Sequence, residues 1–419
     1  DINLGDRHRA FQNLRHIFRA YDIRGLYPDE VNEDFAYALG QAYAGFLREH
    51  EHVSQPTLLI NTDLRSSSVP LKQVLIQGLI RGGVDVFDGG VATTPMHYFG
   101  VGTLAVQGGI MVTASHGARR YNGFKISTKR TRISSETGLF DLYERMIHPH
   151  PTSSREGTVR NIDFLDRYVN LLKNFFSIPH FKTKLRVVLD ASGGPTALVL
   201  EKLLSQVPIN VTKLFFEPDP TFANHNPNPL LEESQQFVTE HFKKNICDLG
   251  ILFDGDGDRA IFFDESGRVI PSDYILALIA EEKLQEKKEG RILVDIAASR
   301  KTREYIQARG GTPVVVRVGT AFFRNALEAD PTILVAGESS GHFYYPELFN
   351  SDGAILTMIY ILNILARREI PMSELIQPLD VLVRSGEVNF EIQDKKATLE
   401  KLQKYFSDGK QSFIDGLTV

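Results

Sequence analysis

The chain has 419 residues, 42% of them hydrophobic and 24% charged, enough for several ordinary globular domains with sizeable cores. Its formal net charge of −5 excludes a global basic field for nucleic acid, so any anion recognition must be local. A lone cysteine, Cys247, leaves no internal disulfide and fits a reducing compartment, and no apolar run approaches the roughly 20 residues of a membrane helix.

The opening residues, Asp1-Ile2-Asn3-Leu4, show neither the basic flank nor the apolar run of a leader, so the expected location is the cytoplasm. With no opening Met, the sequence is expected to begin inside a longer product. A helix is predicted after Asn32, a good N-cap, with Phe35, Leu39, Tyr43 and Phe46 on one face. Leu58-Leu59-Ile60 reads as a buried parallel strand. A second helix runs through Leu71, Val74, Leu75 and Leu79 and ends at Gly82-Gly83. Strands follow at 84–87, 110–112, 187–189, 251–253, 292–294, 314–316 and 333–335, with amphipathic helices between them. Such alternation predicts α/β layers joined by right-handed crossovers. It falls into blocks at 1–152, 153–270 and 271–381, the first closing in the polar stretch His148-Pro149-His150-Pro151-Thr152-Ser153-Ser154. A last segment, 382–419, carries an alternating strand from Val388 to Ile392 and a Lys-rich helix around Leu399 and Leu402. It is too short to close a core unaided, so the natural product is expected to continue past Val419.

Four stretches carry chemistry. In Phe253-Asp254-Gly255-Asp256-Gly257-Asp258-Arg259, three carboxylates at alternate positions can converge on one hard cation, and the glycines let the backbone wrap tightly. Three carboxylates and one more oxygen suit Mg²⁺, and Arg259 adds a planar fork for phosphate. An EF-hand would need glycine where Arg259 stands and helices where both flanks read as strand. An aspartyl-phosphate phosphatase would place a small hydroxyl residue or Val where Asp258 stands. An acidic solvated turn is disfavoured because three aspartates packed on an apolar strand repel one another without a cation.

Thr113-Ala114-Ser115-His116 follows a strand directly, where α/β folds place ligands, and His116 can position or deprotonate Ser115, although a capped helix start reads equally well from this stretch alone. Asn122-Gly123-Phe124-Lys125 adds a turn and a cation. In Gly337-Glu338-Ser339-Ser340-Gly341-His342, Glu338 and Ser340 alternate, so both can face a sugar, although a polar turn reads equally well from this stretch alone. In Phe18-Arg19-Ala20-Tyr21-Asp22-Ile23-Arg24-Gly25, Arg24 can meet a phosphate, while a surface ion pair with Asp22 is the plainer account.

Taken together and in this order, these stretches, with Asn224-His225-Asn226-Pro227-Asn228-Pro229, resemble the α-D-phosphohexomutases, most closely the bacterial phosphomannomutase/phosphoglucomutase group, over nearly the whole chain. The resemblance implies three similar mixed α/β domains around a central cleft, plus a fourth α+β domain that is incomplete here. It implies reversible transfer between hexose 6-phosphate and hexose 1-phosphate, of mannose or glucose, through a phosphoserine and a bisphosphorylated sugar that also serves as primer. Ser115 would carry the phosphate and complete the Mg²⁺ shell of Asp254, Asp256 and Asp258. Tyr21, Arg24, Lys125, Arg259, Glu338, Ser340 and His342 would bind substrate, with His116, Lys125 and His342 as acid/base candidates. The partners implied are small sugar phosphates, with no nucleic acid and no membrane.

Departures from the family pattern stand at Gly117-Ala118, where Asn-Pro is usual and whose replacement is expected to loosen the serine loop, and at the following Arg119-Arg120. Ala297 replaces a frequent Lys and Thr320 a frequent His. The fourth domain's Arg/Ser/Thr phosphate loop is expected beyond Val419. They keep open a catalytically weak sugar-phosphate-binding relative, beside a glucosamine-specific mutase.

Overall fold

The eight apolar runs predicted as strands between residues 58 and 335 all fall on strands. The computed structural model describes residues 10–129, 131–148, 153–177, 181, 184–385, 388 and 390–419. The readings made on residues 1–4, on 149–152 of the polar stretch and on Asn389 lie outside the described residues. Strands β1 (Ile23–Leu26), β2 (Thr57–Thr62), β3 (Asp85–Val91), β4 (Gly108–Val112), β5 (Tyr121–Thr128) and β6 (Val159–Asn161) build the first sheet. The second holds β7 (Arg186–Asp190), β8 (Asn210–Leu214), β9 (Leu249–Phe253), β10 (Ala260–Phe263) and β11 (Val269–Ile270). The third holds β12 (Gly290–Asp295), β13 (Gly311–Val316), β14 (Ile333–Gly337), β15 (Phe343–Tyr345) and β16 (Ser351–Asp352).

The three sheets share one core order: β5-β4-β2-β3, β10-β9-β7-β8 and β15-β14-β12-β13. In each, three strands run parallel and the fourth turns back antiparallel on the third. One strand beyond residue 152, β6 (Val159–Asn161), belongs to the first sheet. Val86 N–H bonds Thr158 O at 2.7 Å, and β6 pairs in parallel with β3, so open backbone groups on β3 recruit one more strand.

The Glu33–His50 helix begins as predicted, with the Asn32 side chain accepting the Phe35 N–H at 3.0 Å. It packs on the Ser68–Arg81 helix at unusually short range. A Cβ on Gly40 would lie 2.5 Å from Leu75 O, and one on Gly78 2.2 Å from Tyr37 O. A single apolar cluster then runs from the Thr94–Thr103 helix of the first unit into the second and third, with Phe99 against Phe164, Tyr168 and Phe349. That shared core sets the three sheets relative to one another.

The last segment differs from expectation. No strand forms at the described residues of 388–392, and Val388 and Phe390 are exposed. An extended run needs a neighbour for its backbone groups, and no described strand pairs there. The helix around Leu399 and Leu402 is present as Lys395–Tyr405, capped by Asp394, and buries none of its residues.

Gly78→Ala should destabilise the protein by about 2–3 kcal/mol, because carbonyl backbone cannot move aside as a side chain can. Urea unfolding of the variant checks this. An unchanged midpoint would mean that the two helices part freely.

Candidate active site

The three chemical loops occupy one position in the repeated fold. Residues 113–120 join β4 to β5, residues 254–259 join β9 to β10, and residues 338–342 join β14 to β15. Each leaves the carboxyl end of a central parallel strand and returns antiparallel. Neighbouring sheets therefore point the same kind of loop at one another.

Ser115 sits at φ 53°, a left-handed conformation that costs a non-glycine residue roughly 1 kcal/mol or more. Thr113 Oγ1 holds it there by accepting its N–H at 2.8 Å. Arg65 fixes the loop from behind, donating to the carbonyls of Ser115 (2.8 Å), Gly117 (2.6 Å), Ala118 (3.3 Å) and Tyr121 (3.3 Å). Asp63 anchors that guanidinium at 3.1 Å and accepts from Thr113 and Ser68. The expected loosening at Gly117-Ala118 is thus offset by Arg65, while Arg119 and Arg120 are exposed. Asp63 and Arg65 were absent from the sequence reading. Their signal was position, since they directly follow the Leu58–Ile60 run at a strand's carboxyl end.

Ser115 Oγ lies 3.2 Å from His116 Nδ1 and donates to Asp254 Oδ2 at 3.3 Å. Burial, then Arg259 and Arg24, hold His116 far below the ordinary imidazole value. Its ring is thus neutral but a weak base, suited to orienting the Ser115 hydroxyl through Nδ1 rather than to holding its proton.

Asp254, Asp256 and Asp258 are buried and each offers a carboxylate oxygen within 4.8 Å of the others. Oδ1 of Asp256 has no hydrogen-bond partner. Burial, then Asp258 and Asp256, push Asp254 well above the usual carboxylate range. A hard divalent cation fits this donor set, since it would supply the charge that three such oxygens need. Lys125 crosses from the first unit to bond Asp256 (2.6 Å) and Asp258 (2.5 Å), with Thr94 Oγ1 also donating to Asp256 at 2.5 Å. Burial disfavours its charge, but the two aspartates override this and hold the ammonium protonated. Lys125 is therefore a fixed cation and a proton donor at most.

His342 ties the third loop to the second. Its Nε2 lies 3.2 Å from Asp258 and its Nδ1 3.3 Å from Glu338. Burial and Arg259 lower its proton affinity, and the two carboxylates raise it more, so the net shift is upward. Ser340 Oγ is 3.0 Å from His342 Nδ1. Backbone joins the loops too, with Ala260 N–H bonded to Gly341 O at 3.1 Å and Arg259 bridged to His342. Glu338 is engaged throughout, accepting from Gly319 N–H (2.8 Å), from Tyr344 O–H and from His342. A sugar hydroxyl at Glu338 would have to replace one of these partners. Arg24 does pair with Asp22, at 2.5 Å, but the pair is not on the surface: Asp22 is buried and Arg24 Nε has no partner. Tyr21 stands against the 319 turn of the third unit.

The Asn224–Pro229 stretch braces the metal loop. Gly255 N–H bonds Pro227 O at 3.2 Å. Gly255 is also wedged so closely that a Cβ would lie 2.8 Å from Pro227 Cβ and 2.9 Å from Ser115 O. His225 Nε2 meets Asp190 Oδ1 at 3.2 Å in the interior. Burial lowers the His225 value, but its hydrogen bond to Asp190 and that charge outweigh it, and the net shift is upward.

A mixed α/β module used three times, with the equivalent loop of each module meeting at one buried site, defines a protein whose chemistry lies between its domains. The chain belongs to the phosphoglucomutase/phosphomannomutase family. The family's alpha/beta/alpha domains I, II and III match residues 15–144, 166–267 and 271–381. It is similar to a phosphomannomutase of Salmonella typhimurium, 33% identical over 414 residues, covering 96% of this chain and 89% of the relative. A crystal structure of a phosphoglucomutase/phosphomannomutase family protein from Burkholderia thailandensis superimposes with a TM-score of 0.86 at 29% identity, covering 96% of this chain and 87% of that one. The fold is also that of an Aspergillus fumigatus N-acetylphosphoglucosamine mutase described in complex with GlcNAc-6P and magnesium, with a TM-score of 0.58 at 16% identity over 98% and 93% of the two chains. No helix among the described residues is long and apolar enough to cross a membrane.

Two outcomes follow from this geometry. Arg65→Lys keeps a charge but loses the planar fork that reaches four carbonyls. Hydrogen exchange of peptides spanning 113–121 should quicken about tenfold or more, and an unchanged rate would mean that the serine loop holds itself. The protonated His225–Asp190 pair contributes stability that is fully present below the ordinary imidazole value of 6.5 and is lost as pH rises through the raised one. The melting-temperature gap between wild type and His225→Gln should therefore shrink as pH rises from about 6 to 9. A gap that grows or stays constant removes the charged pair.

Proposed function

We propose that this protein interconverts hexose 6-phosphate and hexose 1-phosphate, of mannose or glucose, with Ser115 as the phosphate carrier. The observation that carries this reading is the position of Ser115 Oγ, 3.2 Å from the neutral His116 and 3.3 Å from Asp254. It is a hydroxyl with a neutral imidazole on one side and a cation-binding triad on the other.

Asp254, Asp256 and Asp258 would hold Mg²⁺, with an oxygen of Ser115 or its phosphate completing the set. Bound there, the ion would neutralise charge on the phosphoryl oxygens. The protein's own groups do the rest. His116 Nδ1 orients the Ser115 hydroxyl; in net terms the serine proton is exchanged for the phosphoryl group and ends on the sugar oxygen, and the reverse exchange restores it. Arg259 and Arg24 supply forks for phosphate oxygens. Lys125 holds Asp256 and Asp258 in place and keeps Asp258 ionised. His342, whose proton affinity Asp258 and Glu338 raise, is placed to give a proton to a departing sugar oxygen. Glu338, Ser340 and Tyr21 would orient the sugar by exchanging internal partners for hydroxyls. Because the same serine must serve both ends of a hexose, a bisphosphorylated sugar has to turn over at the site, and a trace of it would prime an enzyme whose serine is bare. The likeness to phosphomannomutases supports the hexose class, and a fold neighbour described with magnesium supports the ion. Among cell compartments, the cytoplasm suits a chain with a single buried free thiol.

The test is an assay over glucose, mannose and glucosamine 1-phosphates with Mg²⁺ and a trace of sugar bisphosphate. Glucose or mannose phosphate should turn over, with peptide mapping placing phosphate on Ser115. Ser115→Ala should abolish both, and Asp256→Ala should remove tight Mg²⁺ binding in calorimetry. Phosphate on Asp254 would overturn the carrier assignment. Binding of sugar phosphate without turnover would leave a sugar-phosphate-binding relative instead.

A further inference from the structure

Arg132 is the largest fully buried side chain of the described residues, 1% exposed. All three of its guanidinium nitrogens lack a hydrogen-bond partner. An unpaired buried guanidinium is among the costlier groups a fold can retain, and the reading of the site above makes no use of it. What it has instead of hydrogen bonds is two aromatic faces. Its Cζ lies 5.4 Å from the ring centre of Tyr21 and 5.9 Å from that of Tyr98. A planar, weakly hydrated cation suits such faces, and the attraction grows when water is excluded.

The second half of the arrangement comes from the third unit. Arg324 lies over the same Tyr98 ring at 4.1 Å. Asp352, fully buried, has neither carboxylate oxygen hydrogen-bonded. Burial and Asp258 push Asp352 up to about 6, against Lys125, His342 and Arg132. Arg132 of the first unit and Arg324 of the third thus share the Tyr98 ring, and Asp352 lies near enough to offset part of the Arg132 charge without a hydrogen bond to it. Tyr21 in turn abuts the 319 turn: a Cβ at Gly319 would be 3.2 Å from its Cε1, and the Gly319 N–H is the one that Glu338 accepts.

We propose that Arg132 is a positioning residue for hexose-phosphate binding, holding the Tyr21 ring against the 319 turn and so fixing the sugar loop. This rests on the functional reading above. Arg132 does not touch substrate; it acts through Tyr21, and Asp352 makes its charge tolerable.

A double-mutant cycle tests this. Kinetics are measured on glucose or mannose 1-phosphate for wild type, Arg132→Met, Arg132→Lys, Tyr21→Leu and the Arg132→Met/Tyr21→Leu pair. Arg132→Met should raise KM about tenfold with a smaller change in kcat, and Arg132→Lys, which keeps a cation on the rings, should stay nearer wild type. The pair should be no worse than Tyr21→Leu alone. Arg132→Met/Asp352→Asn, which removes both buried charges, should regain melting temperature but not KM. If Arg132→Met alone fails to fold, the cycle is run in this background. In parallel, 3-fluorotyrosine labelling follows the Tyr21 resonance, identified by its loss in Tyr21→Phe, which should shift or broaden without Arg132. Independent multiplication of the two KM effects, restoration of KM by Asp352→Asn, or an unmoved resonance each overturns the proposal. A wild type that turns over no hexose phosphate refutes the functional reading, and the Tyr21 resonance still decides whether Arg132 holds the ring.

Discussion

The ammonium of Lys125 between Asp256 and Asp258 is the contact on which the site depends. It rises from a strand of the first sheet and neutralises carboxylates on a loop of the second. Without it, two buried aspartates from one tight loop would repel each other at close range. With it, Asp258 stays ionised: burial raises its value, but Lys125 and then His342 pull it well below the carboxylate range. That single bridge orients the metal loop toward Ser115. Through Asp258 it also fixes His342 and, beyond it, Glu338 of the third unit. Each domain contributes to the network, so none holds a working site by itself.

Repetition explains how such a network is assembled. In each module the third parallel strand runs into an antiparallel fourth, and the loop between them is released at the strands' carboxyl edge, where backbone groups are free to meet ligands. One loop carries a hydroxyl, the next a carboxylate triad, the last a carboxylate and an imidazole. The modules diverge in chemistry while agreeing in topology, the usual way for one fold to host different sites. The common apolar cluster around Phe99 is rigid and close-packed. Loop placement can therefore be held to the fraction of an ångström that phosphoryl transfer demands.

The supporting groups follow a different logic from the loops. Asp63, Arg65 and Thr113 touch no reacting atom, yet they hold Ser115 in a backbone conformation it would not choose. Arg132 and Asp352 sit deeper, unpaired by hydrogen bonds, across the boundary of two domains. Both sets place charge where burial is costly, which structures tend to tolerate near sites that need fixed geometry.

Strands β2, β3, β4, β7, β9, β12, β13 and β14, the first two helices and the Asn32 cap were legible in the sequence because they follow local rules: apolar runs of strand length, a 3.6-residue stripe, a side chain able to bond the N-terminal amides; the remaining strands, most of them short or at sheet edges, were not. The Asp254–Asp258 alternation and the Ser115-His116 pair were legible as well, since both are dense local motifs whose chemistry is carried by residue type and spacing. What no local rule contains is which side chain from one domain would neutralise a loop of another. The sequence marked Lys125 as a phosphate ligand or proton shuttle, and the fold spends it on Asp256 and Asp258. It offered Glu338 as a free sugar ligand, and the fold engages it with Gly319, Tyr344 and His342. Read alone, Arg24 and Asp22 looked like a surface ion pair, and the fold buries Asp22 and half-buries Arg24. Arg65 and Arg132 carried no motif, being single arginines whose meaning depends on four carbonyls in one case and two aromatic rings in the other. Burial and electrostatic pairing are properties of space rather than of chain order, so they were decided only when three modules packed around one core.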